Sequence, residues 1–237
     1  VLMVKRLESS FFAFKRTLAN FAKATERMID MFRDGRILIA PDYDVNSMME
    51  KGMSVEEIEQ YILERTIDES DNQNRVFEPT DFESDFPDKL RSDLDLLNEL
   101  IRKWESVQED PKLDVFFSSV EEEFFESDLN PPQKLVIFTE STDTANYLAD
   151  AIKKRLDEDV LNISAKNRAS LFETIQENFD ANFTGQHKND FRIIITTDVL
   201  AEGVNLHRAN VLLNYDTHWT AARLMQRTGR INRLRST

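Results

Sequence analysis

The chain has 237 residues, of which 41% are hydrophobic and 31% charged, with a formal net charge of −14 and no cysteine. Its length allows one large domain or two modest ones around a sizeable core, and its composition excludes disulfides, thiolate chemistry and zinc-finger sites. No apolar run approaches the ~20 residues needed to cross a bilayer, and the opening VLMVKRLESS carries no signal-peptide pattern, so no membrane role and a cytoplasmic location are expected.

The chain starts at Val1 rather than at an initiator methionine, which reads as a fragment. Residues 5–34 are expected to form one long helix, because Leu7, Phe11, Phe14, Leu18, Phe21, Met28, Ile29 and Phe32 recur at three- and four-residue steps. Gly35 is its stop. A second helix is expected from Ser54, with Glu57 at the capping-box position. Residues 67–88 hold eight acids against one Arg and read as a flexible linker. Within it, DESD at 68–71 imitates an acidic magnesium-binding motif, but no buried strand precedes it. Helix returns at 88–108, where Leu90, Leu94, Leu97, Leu100, Ile101 and Trp104 make one face, and again at about 111–127.

NPPQ at 130–133 marks a change of texture. KLVIFTE (134–140), VLNIS (160–164), FRIIITTD (191–198) and ANVLLNYD (209–216) are expected strands. Helices are expected at 141–156, 165–180 and 220–231. Apolar strands separated by helices imply an α/β domain with a parallel sheet covered on both faces. Residues 1–130 therefore read as an acidic helical region and 131–237 as the sheet domain. Charge divides at the same place, with 16 Lys/Arg against 31 Asp/Glu in the first part and 14 against 13 in the second. Any contact with a polyanion is expected in the second.

The usual catalytic signatures are absent. None of the five glycines begins a phosphate loop or a G-x-G-x-x-G fingerprint. The three histidines lack metal-ligand spacing, and no metal site is expected. Two motifs remain. In TTDVLAEGVNL (196–206) a buried strand runs into a turn where Thr196 and Thr197 offer hydroxyls, Gly203 permits close approach and Asn205 offers donor and acceptor. The same pattern also fits a strand ending in a capped turn. RLMQRTGRINRLRS (223–236) concentrates five arginines with no acid, and helical spacing puts Arg227, Arg230 and Arg233 on one broad face. Guanidinium suits a bidentate grip on phosphate oxygens. A solvated basic face, or ion pairing with the acidic half, gives the same pattern.

Taken together, QRTGRINR after TTDVLAEGVNL resembles motifs V and VI of superfamily 2 helicases, and the closest group is the bacterial Swi/Snf-like ATP-dependent DNA translocases. KLVIFTE is similar to their motif IV, and VLLNYDTHW to the segment before motif VI. The resemblance spans roughly 134–235. It implies a RecA-like doubly wound parallel sheet, the second lobe of a two-lobed motor, preceded by a mostly α-helical insertion. It implies ATP and Mg2+ shared with an N-terminal lobe that supplies the phosphate loop, so that this chain alone binds neither and is inactive. It also implies Arg230 and Arg233 as arginine fingers, Gly203, Asn205, Gln226 and Arg227 around the nucleotide, and Thr197 and Thr139 on the nucleic-acid backbone. The partners are then DNA, read as a duplex through its backbone, and the first motor lobe. A DNA role for Arg168 does not follow, because ISAKNRASLF fits the intervening motif poorly. The alternatives are a non-catalytic nucleic-acid or protein binding module built on the basic helix, and a helical scaffold resting on residues 1–130.

Overall fold

The computed structural model describes residues 2–50, 53–64, 75–217 and 220–232. It divides into two compact units, one formed by Val1–Phe14 with Gln108–Thr237 and the other by Lys15–Val107. The span read as one helix is two, α1 (Leu2–Ser9) and α2 (Phe11–Asp34). Helical hydrogen bonds continue through the junction, from Ser10 N to Arg6 O (3.1 Å) and from Phe14 N to Ser10 O (3.0 Å). The break comes from the serine pair, since Ser10 Oγ accepts the Ala13 N–H (3.0 Å) and caps α2. Gly35, at φ +80°, ends α2 as expected.

The unit Lys15–Val107 continues with β1 (Ile37–Ile39), α3 (Val45–Glu50), α4 (Val55–Leu63), β2 (Arg75–Phe77) and α5 (Phe86–Glu105). The Ser54–Glu57 capping box forms in both directions. β1 and β2 pair antiparallel, with Ile37 opposite Phe77. Much of the stretch read as a linker is thus ordered. Its aromatics explain why: Phe82 packs against Phe32, Phe77 and Phe86 at ring separations of 4.9, 5.8 and 5.3 Å. The DESD decoy lies outside the described residues. The unit's core gathers Met31, Ile37, Leu38, Ile58 and Ile62.

The sheet unit contains α6 (Pro111–Ser119), which passes into a π-helical turn at Val120–Phe124 rather than running on to 127. Then come β3 (Leu135–Phe138), α7 (Thr142–Leu156), β4 (Val160–Ile163), α8 (Phe172–Phe179), β5 (Ile193–Thr196), a 3-10 turn (Asp198–Leu200), β6 (Val211–Asn214) and α9 (Ala221–Thr228). The four strands are parallel in the order β4-β5-β3-β6. Alternate residues enter opposite cores, which is why the strands read as apolar throughout. Val136, Phe138 and Ile194 join Ile175 and Phe179 on one face. Leu135, Ile137, Ile193 and Ile195 join Phe116, Leu148 and Ile152 on the other. The expected α/β class, with a covered parallel sheet and a helical region before it, is what the chain adopts.

Register aligns the strand ends. Phe138 pairs with Thr196 on one side and Asn214 on the other, so the segments after β3, β5 and β6 leave the sheet side by side. Ligands of such sheets bind at this carboxyl edge.

Candidate functional site at the carboxyl edge of the sheet

Arg227 organises one half of this edge. Its side chain is wholly buried. Nε donates to Asp198 Oδ1 (2.7 Å), Nη1 donates to Asn214 Oδ1 (3.0 Å), and the guanidinium carbon lies 5.2 Å from the Phe138 ring centroid. One side chain of α9 therefore ties together the ends of β3, β5 and β6. The pairing with Asp198 offsets the cost of burying the charge. Arg227 Nη2 is also buried and has no hydrogen-bond partner among the described residues.

The lock fixes α9 against the loop after β5. Gln226 Nε2 reaches Glu202 Oε1 at 3.5 Å. Past the helix, the Arg230 carbonyl accepts the Leu206 N–H (3.0 Å), and Arg230 Nη1 donates to the Val204 carbonyl (3.3 Å). Ile231 packs on the core. Gly203 adopts φ +77°, which only glycine enters freely, and a Cβ there would lie 2.8 Å from Arg168 Nη2. Arg168 in turn donates to the Glu202 carbonyl (3.0 Å). Gly229 ends α9 at φ −62°, so its own backbone does not require glycine.

The second half of the edge is a network of hydroxyls around a buried carboxylate. Asp216 Oδ2 accepts from Ser9 Oγ (2.7 Å) and Thr139 Oγ1 (2.6 Å), and Oδ1 accepts the Glu140 N–H (2.7 Å). Thr144 shares hydrogen bonds with Ser9 (2.7 Å) and Ser10 (3.0 Å). All of these but Glu140 are buried. Beside the network lies a cleft of ≈ 450 Å³ lined by Lys5, Glu8, Lys112, Glu140, Tyr215 and Asp216. Lys112 Nζ donates to the carbonyls of Glu8 and Ser9 (2.6 and 2.9 Å) and lies 4.3 Å from the Tyr215 ring centroid. Burial holds its pKa below the usual lysine value, against the pull of Asp216 and Asp110. Burial, with Asp110 nearby, also raises the Tyr215 and Tyr147 phenols.

The sequence-expected residues separate into groups. Gln226, Arg227 and Arg230 meet the loop that carries Gly203 and Asn205. Thr197 is half-buried and opens the 3-10 turn at that loop's start. Thr139 belongs to the other network, fully buried, with its hydroxyl on Asp216. Arg233 lies outside the described residues. Sequence reasoning missed Asp198, Asn214 and Asp216 as the partners that hold the edge together. Their signal was a polar residue at or just after an apolar strand. Among the described residues no cluster of His, Asp and Glu could hold a metal ion, and no helix is long and apolar enough to cross a membrane.

The helicase conserved C-terminal domain model matches residues 116–235, just over half of the 237-residue chain. Over 47 residues the chain is 43% identical to the uncharacterized ATP-dependent helicase YqhH of Bacillus subtilis (strain 168), a match covering 20% of this chain and 8% of that protein. The solved C-terminal part of the Fun30 ATPase domain aligns at 14% identity and a TM-score of 0.42, over 92% of this chain and 56% of that one. The Pyrococcus furiosus Hef helicase domain aligns at 14% identity and a TM-score of 0.43, over 96% and 34%. The chain thus spans only part of each of these relatives. With the Asp198 loop and the Arg227 helix both inside the matched span, it belongs to the helicase conserved C-terminal domain family.

Proposed function

We propose that the chain is the second motor lobe of an ATP-dependent DNA translocase or helicase of the Swi/Snf-like kind, completed by a first lobe that brings the phosphate loop. The observation that carries this is the Arg227 lock, which holds α9, and with it the turn at Arg230 that follows, against the loop bearing Gly203 and Asn205 at the ligand-binding edge of the sheet. The donors there suit a polyphosphate. Guanidinium and amide groups come from Arg230 and Gln226. The described residues offer no acidic cluster for Mg2+, so its ligands are assigned to the first lobe.

In this reading ATP supplies the phosphoanhydride when bound between the lobes. Arg230 and Arg233 act as arginine fingers, stabilising negative charge as it develops. Arg227 positions Arg230 through Asp198 and Asn214. Gln226, Gly203 and Asn205 shape the nucleotide side, and Arg168 holds the Gly203 turn from behind. Thr197 faces the nucleic-acid backbone. Thr139 serves the same surface from within, as part of the network that shapes it. Backbone contacts give affinity without sequence preference.

The test is nucleic-acid-stimulated ATP hydrolysis by the two-lobed protein. Arg230→Ala is expected to lower it by ~10³ or more, while this chain alone turns over no ATP. Hydrolysis by the isolated chain that depends on Arg230, or intact hydrolysis by the two-lobed variant, would overturn the reading. The second result, with DNA affinity reduced, would favour the binding module instead.

A further inference from the structure

The helical unit carries a cationic stripe to which the motor reading gives no role. No acidic residue occurs between Ser9 and Thr25, although residues 1–130 hold 31 Asp and Glu against 16 Lys and Arg. Arg16, Asn20, Lys23 and Arg27 follow one another on α2 at steps of four, three and four. At ~100° per residue they stay within a sector of about 60°. They form one wall of a groove of ≈ 350 Å³ whose other wall is Asp44, Asn46 and Ser47. Arg16, Asn20 and Lys23 are exposed and Arg27 is half-buried. Asp44 sets one carboxylate oxygen on the Ser47 N–H (3.0 Å), turning it into the chain's own backbone.

The dimensions suit an extended polyanion. Arg16 and Arg27 are eleven residues apart, or ~16 Å along the helix axis. One strand of a duplex carries a phosphate every ~3.4 Å of its axis, so the stripe faces about five of them. A second groove of ≈ 320 Å³, lined by Met28, Leu38, Ile39, Pro41 and Tyr43, adjoins the first and shares Arg27, Asp44 and Asn46 with it. A cationic rail beside an apolar shelf with an aromatic ring matches the two chemistries of a nucleic-acid strand, phosphates and sugar-base faces.

We propose that this face of α2 is a nucleic-acid contact additional to the edge of the sheet. Arg16, Lys23 and Arg27 hold backbone phosphates, with Asn20, Asn46 and Ser47 as neutral donors. The proposal rests on reading the chain as part of a nucleic-acid motor, and extends that reading to the helical unit. The contact is independent of sequence and of nucleotide.

The experiment is binding of a labelled duplex, and of its single strand, to the whole chain across a salt series, followed by fluorescence anisotropy. The triple variant Arg16→Gln, Lys23→Gln, Arg27→Gln is expected to reduce the slope of log affinity against log salt by ~2–3 on a duplex, or ~2 on a single strand. Affinity at the lowest salt should fall tenfold or more. Arg16→Lys with Arg27→Lys, which keeps the charge, should keep the slope. The arm with the larger loss identifies which form of nucleic acid lies in the groove. An unchanged slope in the glutamine variant, no binding by the parent chain at low salt, or equal competition by polyglutamate would overturn the proposal. Loss of ATP hydrolysis in Arg230→Ala together with an unchanged salt slope in the glutamine variant would remove the stripe and leave the motor reading standing.

Discussion

Replacing Asp216 by alanine tests the network at the carboxyl edge most directly. Three donors converge on that carboxylate, from Ser9, Thr139 and the Glu140 backbone, at 2.7, 2.6 and 2.7 Å. Each bond to a charged acceptor contributes ~1.5–3 kcal/mol net. The three do not add, because Ser9 retains its bond to Thr144 and a hydroxyl can rotate to another acceptor. A cost of ~3–5 kcal/mol is therefore expected, below the simple sum of three such bonds. In urea, with a slope of ~2 kcal/mol per molar, the midpoint should fall by about 2 M. Asp216→Asn keeps an oxygen for the Glu140 N–H, and the two hydroxyls can reverse to accept from its amide, so it should cost only ~1–2 kcal/mol. Hydrogen exchange supplies a local readout, since the Glu140 amide should lose protection in the alanine variant and keep most of it in the asparagine variant. A cost below ~1 kcal/mol for alanine, or equal costs for the two variants, would mean that the carboxylate does not hold this edge together.

Two further outcomes concern single positions. Gly203→Ala meets both a positive φ and the Arg168 guanidinium, and should destabilise the chain by ~2 kcal/mol. Because the clash already displaces Arg168 from the Glu202 carbonyl, adding Arg168→Ala should cost less in that background than alone, and additive costs in denaturation would exclude the coupling. Lys134 is buried, with Nζ on the Phe191 carbonyl (2.8 Å), and burial pulls its pKa from 10.5 down to about 8. The fold thus favours the neutral amine, so stability relative to Lys134→Met should rise as pH climbs from about 8 to 10.5, by at most ~3 kcal/mol. Parallel pH profiles for the two proteins would contradict this.

Local signals in the sequence were legible where chemistry and periodicity agreed. The Ser54 capping box, the Gly35 stop and all four parallel strands appear where their residue patterns put them, each strand trimmed by a residue or more at its ends. Pairings between distant positions were not legible. The two serines that divide α1 from α2 look like ordinary helix residues until Asp216, more than two hundred positions away, is seen to accept from Ser9. Arg227 reads as one more phosphate-seeking guanidinium in a basic run. Its burial depends on Asp198, in the turn after β5, and Asn214, at the end of β6, arriving side by side. β2 was hidden because it is only three residues long and sits in an acidic stretch, whose charge masks the phenylalanines that anchor it. The 165–171 segment has helix-compatible residues, yet Asn167 bonds its side chain to the Ser164 N–H and the Asn162 carbonyl, which favours turns until α8 begins at Phe172.

The helical unit leaves and rejoins the chain at one spot. Lys15 Nζ donates to the Val107 carbonyl at 2.6 Å, stapling its first residue to its last. An insert with touching ends is modular in an evolutionary sense. It can lengthen, shrink or be exchanged for another without re-threading the strands on either side. A short bridge from Phe14 to Gln108 would keep Ser9 within the same stretch as Asp216. The sheet would then retain its own buried polar bolt, whatever cargo the neck carries.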